Sequence, residues 1–100
     1  MPKLYEYFGL RVFFYANEHT PVHVHGFKGG RESKAEIILL NGRVVEILIS
    51  EVGGMEPLTG GDLADFHRLV ELRANDIVRK WTDFFVFHKH IKPLRITRKL

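Results

Sequence analysis

The hydrophobic period changes once along this chain, across the glycine-rich segment 51–61. Before that segment, apolar residues alternate with polar ones, a period of two that is typical of β-strands. After Asp62, apolar residues recur every three or four positions, which indicates an amphipathic helix. A chain with its strands first and its helix last is expected to form an α+β fold. We predict a mostly antiparallel sheet of about five strands followed by a C-terminal helical segment packed on one face.

Turn-forming residues mark where the predicted strands end. Asn41-Gly42 is the preferred pair for a type I′ turn, so the runs on either side of it should form a hairpin. Lys28-Gly29-Gly30-Arg31 marks the preceding turn, because glycine accepts a positive φ at little steric cost. Aromatic residues favour a pleated surface and occur on both sides of Gly9. The predicted strands span residues 3–8, 11–16, 22–27, 34–40 and 43–50.

The helical stripe follows Thr59, a suitable N-cap residue, and Asp62 places a negative charge in the first turn. The stripe keeps its phase through Arg73-Ala74-Asn75, so one long helix and two helices with a kink are both consistent with the sequence. Trp81 is expected to anchor the helix on the sheet. The stripe comprises Leu63, Phe66, Val70, Ile77, Trp81 and Phe84.

Composition narrows the class of protein. The 100 residues are enough for one domain, and the 45% that are apolar can form a core. The chain has no cysteine, which excludes disulfides, thiolate metal sites and cysteine nucleophiles. Neither a signal peptide nor an apolar run of about 20 residues is recognisable, so we expect a cytoplasmic protein without a membrane partner.

Basic residues are concentrated near the C-terminus. Residues 1–87 are predicted to form a single α+β domain, and residues 88–100 a basic tail or edge strand. This tail holds five basic residues and no acidic one, whereas the rest of the chain has a net charge of −2. It could neutralise nucleic-acid phosphates, remain solvated, or add a strand to another subunit and so form a homodimer. The basic residues are Lys89, Lys92, Arg95, Arg98 and Lys99.

Three of the six histidines lie within the segment Asn17–His25. His23 and His25 alternate along a predicted strand, so both should project from the same face. Together with His19, and with Glu18 as a further donor, they could bind a divalent metal ion such as zinc, nickel or iron. No other cofactor is indicated.

The same segment could act as a catalyst on RNA. One imidazole could accept the proton of a 2′-hydroxyl and another could protonate the leaving oxygen, because the pKa of histidine lies near neutrality. Lys28 or Arg31 would bind the phosphate and stabilise its developing charge. In a purely structural alternative, the histidines bond turn backbone groups and pack on aromatic rings. The catalytic candidates are Glu18, His19, His23 and His25.

Part of the chain resembles a known family. The segment Phe13–His25, followed by Lys28-Gly29-Gly30 and Ala35, is similar to the opening of the bacterial family known as domain of unknown function 4160. Trp81 and the aromatic pair Phe84-Phe85 are similar to that family's helical region. The resemblance covers residues 1–87. The tail beyond it is longer than in many members of the family.

The resemblance implies a small prokaryotic protein, since genes of this family often lie beside those of a second small family in arrangements that resemble toxin–antitoxin pairs. It implies a small cognate protein partner and an RNA target, and it leaves open whether the protein is an enzyme. We therefore predict a toxin–antitoxin-like component that acts on or binds RNA through the histidine-rich turn and strand. The alternatives are a non-catalytic interaction or regulatory module and a histidine-ligated metal-binding protein.

Overall fold

The computed structural model describes residues 2–17 and 21–100, in which one helix packs on a six-stranded sheet. The elements are β1 (Lys3–Tyr7), β2 (Leu10–Phe13), β3 (His23–Lys28), β4 (Arg31–Leu40), β5 (Arg43–Glu51), α1 (Gly60–Phe85) and β6 (Leu94–Ile96). The strand order is β5-β4-β3-β2-β1-β6. Neighbouring strands are antiparallel, except that β6 runs parallel to β1. The predicted α+β class is confirmed, and the sixth strand is the one that forms in the basic tail.

Both predicted glycine-containing turns are present. Asn41 and Gly42 have φ values of 53° and 77°, and Gly29 and Gly30 have values of 61° and 78°. A type I′ turn requires positive φ at both central residues, and its twist matches that of the flanking strands. These turns join β4 to β5 and β3 to β4, and they set the register of the three strands.

A single 26-residue helix, Gly60–Phe85, follows the sheet strands β1 to β5. Of the two alternatives that the sequence left open, the chain therefore forms one long helix. Thr59 occupies the N-cap position in an extended conformation, and Asp62 lies in the first turn. The buried stripe consists of Phe66, Leu69, Val70, Ala74, Ile77 and Trp81.

The helix packs closely on the middle of the sheet. A Cβ atom added to Gly26 of β3 would lie 2.5 Å from Cδ1 of Phe66, so the ring occupies space that only glycine leaves free. Phe66 and Val24 are both fully buried in the same hydrophobic core. Further along the helix, the buried Trp81 packs on the ring of Phe85. Trp81 anchors the C-terminal half of the helix in the core, as predicted.

Strand alternation places the two histidines of β3 on the face opposite the helix. Val24 belongs to the core beneath the helix, so its neighbours His23 and His25 project from the other face. Phe13 and Lys34 lie directly opposite His25 on the adjacent strands and share this face. The predicted common face of the two histidines is confirmed.

Candidate functional site

A buried polar group of side chains forms around His25. Its Nδ1 atom lies 3.1 Å from Oε2 of Glu32, and the two residues are only 3% and 4% exposed. The tight β3–β4 turn brings them together, because it sets Glu32 opposite Phe27 and therefore diagonally across from His25 on the same face. A carboxylate oxygen only accepts hydrogen bonds, so Nδ1 of His25 carries the hydrogen and donates it.

Aromatic rings enclose this pair. The Phe13 ring stacks on the imidazole of His25 with centroids 5.6 Å apart, and the Tyr15 ring meets the same imidazole edge-on at 4.6 Å. The Tyr15 hydroxyl donates a hydrogen bond to Oε2 of Glu32 at 3.2 Å. Tyr15 thus reaches across His25 to β4 and helps to exclude water from the hydrogen bond between His25 and Glu32.

His23 lies beside this pair. Its Nδ1 atom donates a hydrogen bond to the carbonyl oxygen of Pro21 at 2.7 Å. The rings of His23 and His25 are 5.3 Å apart, and Nε2 of His23 is buried. We call His23, His25, Glu32 and Tyr15 the histidine cluster. The other two predicted catalytic residues, Glu18 and His19, lie outside the described residues.

The hydrogen-bond pattern determines what the two imidazoles can do. Because both Nδ1 atoms donate, Nε2 is the basic nitrogen of each ring whenever that ring is neutral. Metal-binding histidines commonly donate their other N–H to a carboxylate or a backbone carbonyl, as His25 and His23 do. Within residues 2–17 and 21–100, no group of three or more histidine or acidic side chains is arranged to hold a metal ion. The metal site with His19 therefore stays a prediction.

Burial of the histidine cluster bears on the catalytic hypothesis. A general acid or base must come within hydrogen-bond distance of its substrate. His23 is 6% exposed and His25 is 3% exposed, so in this conformation both rings belong to a packed polar network. Catalysis by these residues stays a prediction, and it would require the side chains that cover them to move.

A second group of predicted residues lies at one end of the sheet. Strands β1 and β3 end there, β4 begins there, and β6 ends there because it runs parallel to β1. The β1–β2 turn, the β3–β4 turn and the segment after β6 therefore lie side by side. The region that we call the basic end contains Lys28, Arg31, Arg95, Arg98 and Lys99, five of the seven predicted nucleic-acid-binding residues.

Two of these cations contact groups near the start of the helix. Nζ of Lys28 lies 3.1 Å from a carboxylate oxygen of Asp62, in the first helical turn. Arg31 donates a hydrogen bond to the carbonyl oxygen of Pro57 at 3.2 Å. Both contacts hold the β3–β4 turn beside the helix N-terminus, where the backbone N–H groups add a partial positive charge.

The remaining cations lie on β6 or follow it. Arg95 lies 3.4 Å from Oε2 of Glu6, and hydrogen bonds from Lys3 and Arg95 hold the pKa of that carboxyl below its usual value. Nζ of Lys99 lies 4.1 Å from the centroid of the Phe8 ring. The chain after β6 therefore lies along the β1–β2 turn instead of leaving the sheet.

Lys89 and Lys92 lie apart from the basic end. They follow the C-terminus of the helix, at the opposite end of the sheet, and Lys89 lies 4.0 Å from Asp83 of the last helical turns. The seven predicted nucleic-acid-binding residues therefore do not form one surface.

Comparison with known families decides where this chain belongs. The model of the family described as domain of unknown function (DUF4160) matches residues 9–82, which is most of the chain. The chain belongs to this family. The DUF4160 match includes the β3–β4 hairpin with the histidine cluster, whereas β1 and β6 lie outside it.

No curated protein and no solved structure matches the chain. In the described part of this DUF4160 protein, no helix is both long enough and apolar enough to cross a membrane.

Sequence reasoning missed four residues of these two regions of the DUF4160 protein. Tyr15 and Glu32 complete the histidine cluster, and the register of the β3–β4 turn could have identified Glu32 as a neighbour of His25. Phe8 is exposed at the basic end. Arg11 lies at the same end, with its guanidinium 4.9 Å from the centroid of the Phe27 ring. Only the order of the strands shows that Phe8 and Arg11 belong with the cations of the tail.

Proposed function

We propose that this DUF4160 protein binds RNA through the basic end of its sheet, as a cytoplasmic component of a toxin–antitoxin-like pair. The observation that carries this proposal is the convergence of cations from the β3–β4 turn and the tail on one end of the sheet. β4 and β6 are four strand positions apart, so the cations span about 19 Å at the usual spacing of about 4.8 Å. A surface of that width can contact several phosphates, since one strand carries a charge every 3.4 Å or so of helix axis.

The contacts of these cations are compatible with an incoming polyanion. Arg95 and Lys28 each lie beside a carboxylate, from Glu6 and Asp62 respectively. Exposed ion pairs of this kind are worth no more than about 1 kcal/mol, so a phosphate can replace either carboxylate. Release of counterions from the nucleic acid would then supply much of the affinity, which makes the binding dependent on salt and largely independent of sequence.

Chemistry at the histidine segment is a separate part of the proposal. Its support is the donation of hydrogen bonds by Nδ1 of His23 and Nδ1 of His25 to a backbone carbonyl and a carboxylate, the arrangement in which metal-binding histidines are commonly held. If the segment is catalytic, His23→Ala abolishes RNA cleavage while the melting temperature stays nearly unchanged. A lower melting temperature without a specific loss would assign a packing role instead. Elemental analysis of protein purified without a histidine tag tests for a bound divalent metal.

The binding proposal is tested with two double variants that remove the same charge from opposite ends of the sheet. Arg95→Gln/Arg98→Gln acts at the basic end, and Lys89→Gln/Lys92→Gln acts at the far end. All four side chains belong to exposed residues. Fluorescence anisotropy with a short labelled RNA, at several salt concentrations, gives the affinity and its salt slope for each protein.

The two double variants should differ clearly. The basic-end variant should bind about tenfold more weakly, and its salt slope should fall by about 1.4, because each phosphate contact to a single strand contributes about 0.7. The far-end variant should keep the wild-type affinity within about twofold, since exposed charges further away than a Debye length are screened. An equal loss in both variants would show that only net charge matters and would remove the basic end as the site.

A non-catalytic interaction module is the second candidate, and edge strand β5 favours it. Among the described strands, β5 pairs with β4 alone, and its residues Val45 and Leu48 are 56% and 43% exposed. Long edge strands with apolar side chains can pair with an extended segment of another protein. If the cognate partner binds there, Leu48→Lys abolishes formation of the complex and leaves RNA affinity intact. Self-association would appear as a mass that depends on concentration in analytical ultracentrifugation.

A further inference from the structure

Phe8 is an unusual residue at the centre of the basic end. It is 45% exposed, and its φ of 45° lies in the left-handed region. A bulky aromatic residue is strained in this conformation, which glycine or asparagine would adopt more easily. Strained positions of this kind persist where the surrounding structure enforces them, and they concentrate at functional sites.

The surroundings of Phe8 are cationic and aromatic. Nζ of Lys99 lies 4.1 Å from the ring centroid, and the Tyr7 ring meets the Phe8 ring edge-on at 4.8 Å. The backbone N–H of Leu100 donates a hydrogen bond to the hydroxyl of Tyr7 at 3.2 Å, which holds the end of the chain beside this pair of rings. The tail is thereby kept next to the exposed ring of Phe8.

An open groove adjoins the Phe8 ring. It has a volume of about 290 Å³, and its walls come from the β1–β2 turn on one side and from β6 and the residue after it on the other. The lining residues are Glu6, Phe8, Gly9, Arg95, Ile96 and Thr97. The groove therefore combines an aromatic ring with a guanidinium group, and Lys99 lies beside it.

We infer that Phe8 is a stacking platform for one unpaired base of a single-stranded RNA, with the flanking phosphates bound by Arg95, Arg98 and Lys99. This inference rests on the proposed RNA binding and specifies its substrate class. An unpaired base can present its face to a side chain, whereas inside a duplex both faces of a base are covered by its neighbours. Aromatic rings beside a cationic groove are the usual means of binding single strands without reading their sequence. Lys99, which now lies over the ring, has a flexible stem and can turn to a phosphate when a base takes its place.

The test uses two substitutions of Phe8 that separate stacking from folding. Phe8→Asn removes the ring and suits the left-handed backbone, so the folded protein should be at least as stable as the wild type. Phe8→Tyr keeps the ring and serves as the matched control. Neither substitution changes the charge. Binding is measured with a single-stranded RNA carrying 2-aminopurine, whose fluorescence is quenched by stacking, and with a duplex RNA of the same length.

Phe8→Asn should weaken single-strand binding by about tenfold, within the range of stacking energies measured per base, and should leave the salt slope unchanged because no phosphate contact is lost. It should also abolish the quenching of 2-aminopurine, while Phe8→Tyr retains both affinity and quenching. Affinity for duplex RNA should be the same in all three proteins.

The possible failures are distinguishable. Wild-type single-strand affinity and quenching in Phe8→Asn, together with weaker binding by Arg95→Gln/Arg98→Gln, would overturn the stacking role and leave the basic end as an RNA site. A wild-type protein that binds neither single-stranded nor duplex RNA would overturn both proposals. An equal loss of single-strand and duplex binding in Phe8→Asn would also overturn the stacking role, since the bases inside a duplex have no free face.

Discussion

His25 and Glu32 form a buried hydrogen-bonded pair across the β3–β4 hairpin, with Nδ1 of the imidazole 3.1 Å from Oε2 of the carboxylate. Their side chains are 4% and 6% exposed. The hairpin turn sets the register that brings them together, and Tyr15 adds a hydrogen bond to the same carboxylate oxygen. This contact makes the face opposite the helix a second packed region of the protein, built from polar and aromatic groups.

Glu32→Ala should lower the free energy of unfolding by about 2 kcal/mol, because it removes the carboxylate that accepts the hydrogen bond from the buried Nδ1 of His25. Urea denaturation followed by circular dichroism measures the change. Glu46→Ala, at an exposed position of β5, is the control and should change stability by no more than about 0.5 kcal/mol. Similar small values for both variants would show that the His25–Glu32 contact adds nothing to stability.

Gly26→Ala should destabilise the protein by about 2 kcal/mol, because the new methyl group would meet the Phe66 ring at 2.5 Å. Phe66→Leu in the same chain should recover part of the loss by making room for the methyl group. Gly53→Ala is the matched control, since a Cβ atom there has nothing within 4 Å. Thermal unfolding of the four proteins checks the order; a Gly26→Ala protein as stable as the wild type would contradict the close approach of the helix.

Trp81→Ala should cost about 3 kcal/mol or more, because the ring lies in the core beside Phe85. Trp81→Phe should cost less than half as much. Among the residues that the structure describes, the buried Nε1 of Trp81 has no hydrogen-bond partner, so phenylalanine removes a polar group that the fold leaves unsatisfied. Denaturant titration followed by circular dichroism compares the two variants. Equal losses of unfolding free energy would indicate that the indole N–H of Trp81 has a hydrogen-bond partner.

Stability should depend on pH through Tyr5 and Asp76, which join β1 to the helix. The Tyr5 hydroxyl donates a hydrogen bond to the Asp76 carboxylate. Burial acts to raise the pKa of Asp76, but hydrogen bonding from Tyr5 and the charge of Lys80 outweigh it and hold that pKa below its usual value. Burial, followed by the hydrogen bond to Asp76, raises the pKa of Tyr5 well above its usual value.

The two shifts act at opposite ends of the pH scale. Asp76 contributes stability that is present above its unfolded-state pKa of about 4 and is lost as the pH falls through the lower folded-state value. Tyr5 contributes stability that is present below its unfolded-state pKa of about 10 and is lost as the pH rises through the higher folded-state value. Unfolding free energies measured against pH should therefore show a weaker acid limb in Asp76→Asn and a weaker alkaline limb in Tyr5→Phe. If the unfolding free energies of both variants depended on pH as that of the wild type does, the hydrogen bond between Tyr5 and Asp76 would not be formed.

Local patterns predicted much of the fold and part of the site. The Asn41-Gly42 pair indicated its hairpin because only a few residue types accept positive φ at both positions of a type I′ turn. Alternation along β3 placed His23 and His25 on one face, because successive strand residues point to opposite sides. The three- and four-residue spacing from Phe66 to Trp81 indicated the helix and its buried stripe. These features follow from a residue and its near neighbours in the chain.

The sequence by itself thus determined the α+β class, the hairpins, the helix and the common face of the two histidines. Only the tertiary structure decided that Glu32 is buried against His25 and that the tail returns as β6 to bring Arg95 and Lys99 beside Phe8. Turns and periods arise from local sterics and the geometry of the backbone, whereas pairing between distant strands depends on which apolar surfaces the whole chain can bury together. That is why the basic end, assembled from segments far apart in the chain, could be found only from the order of the strands.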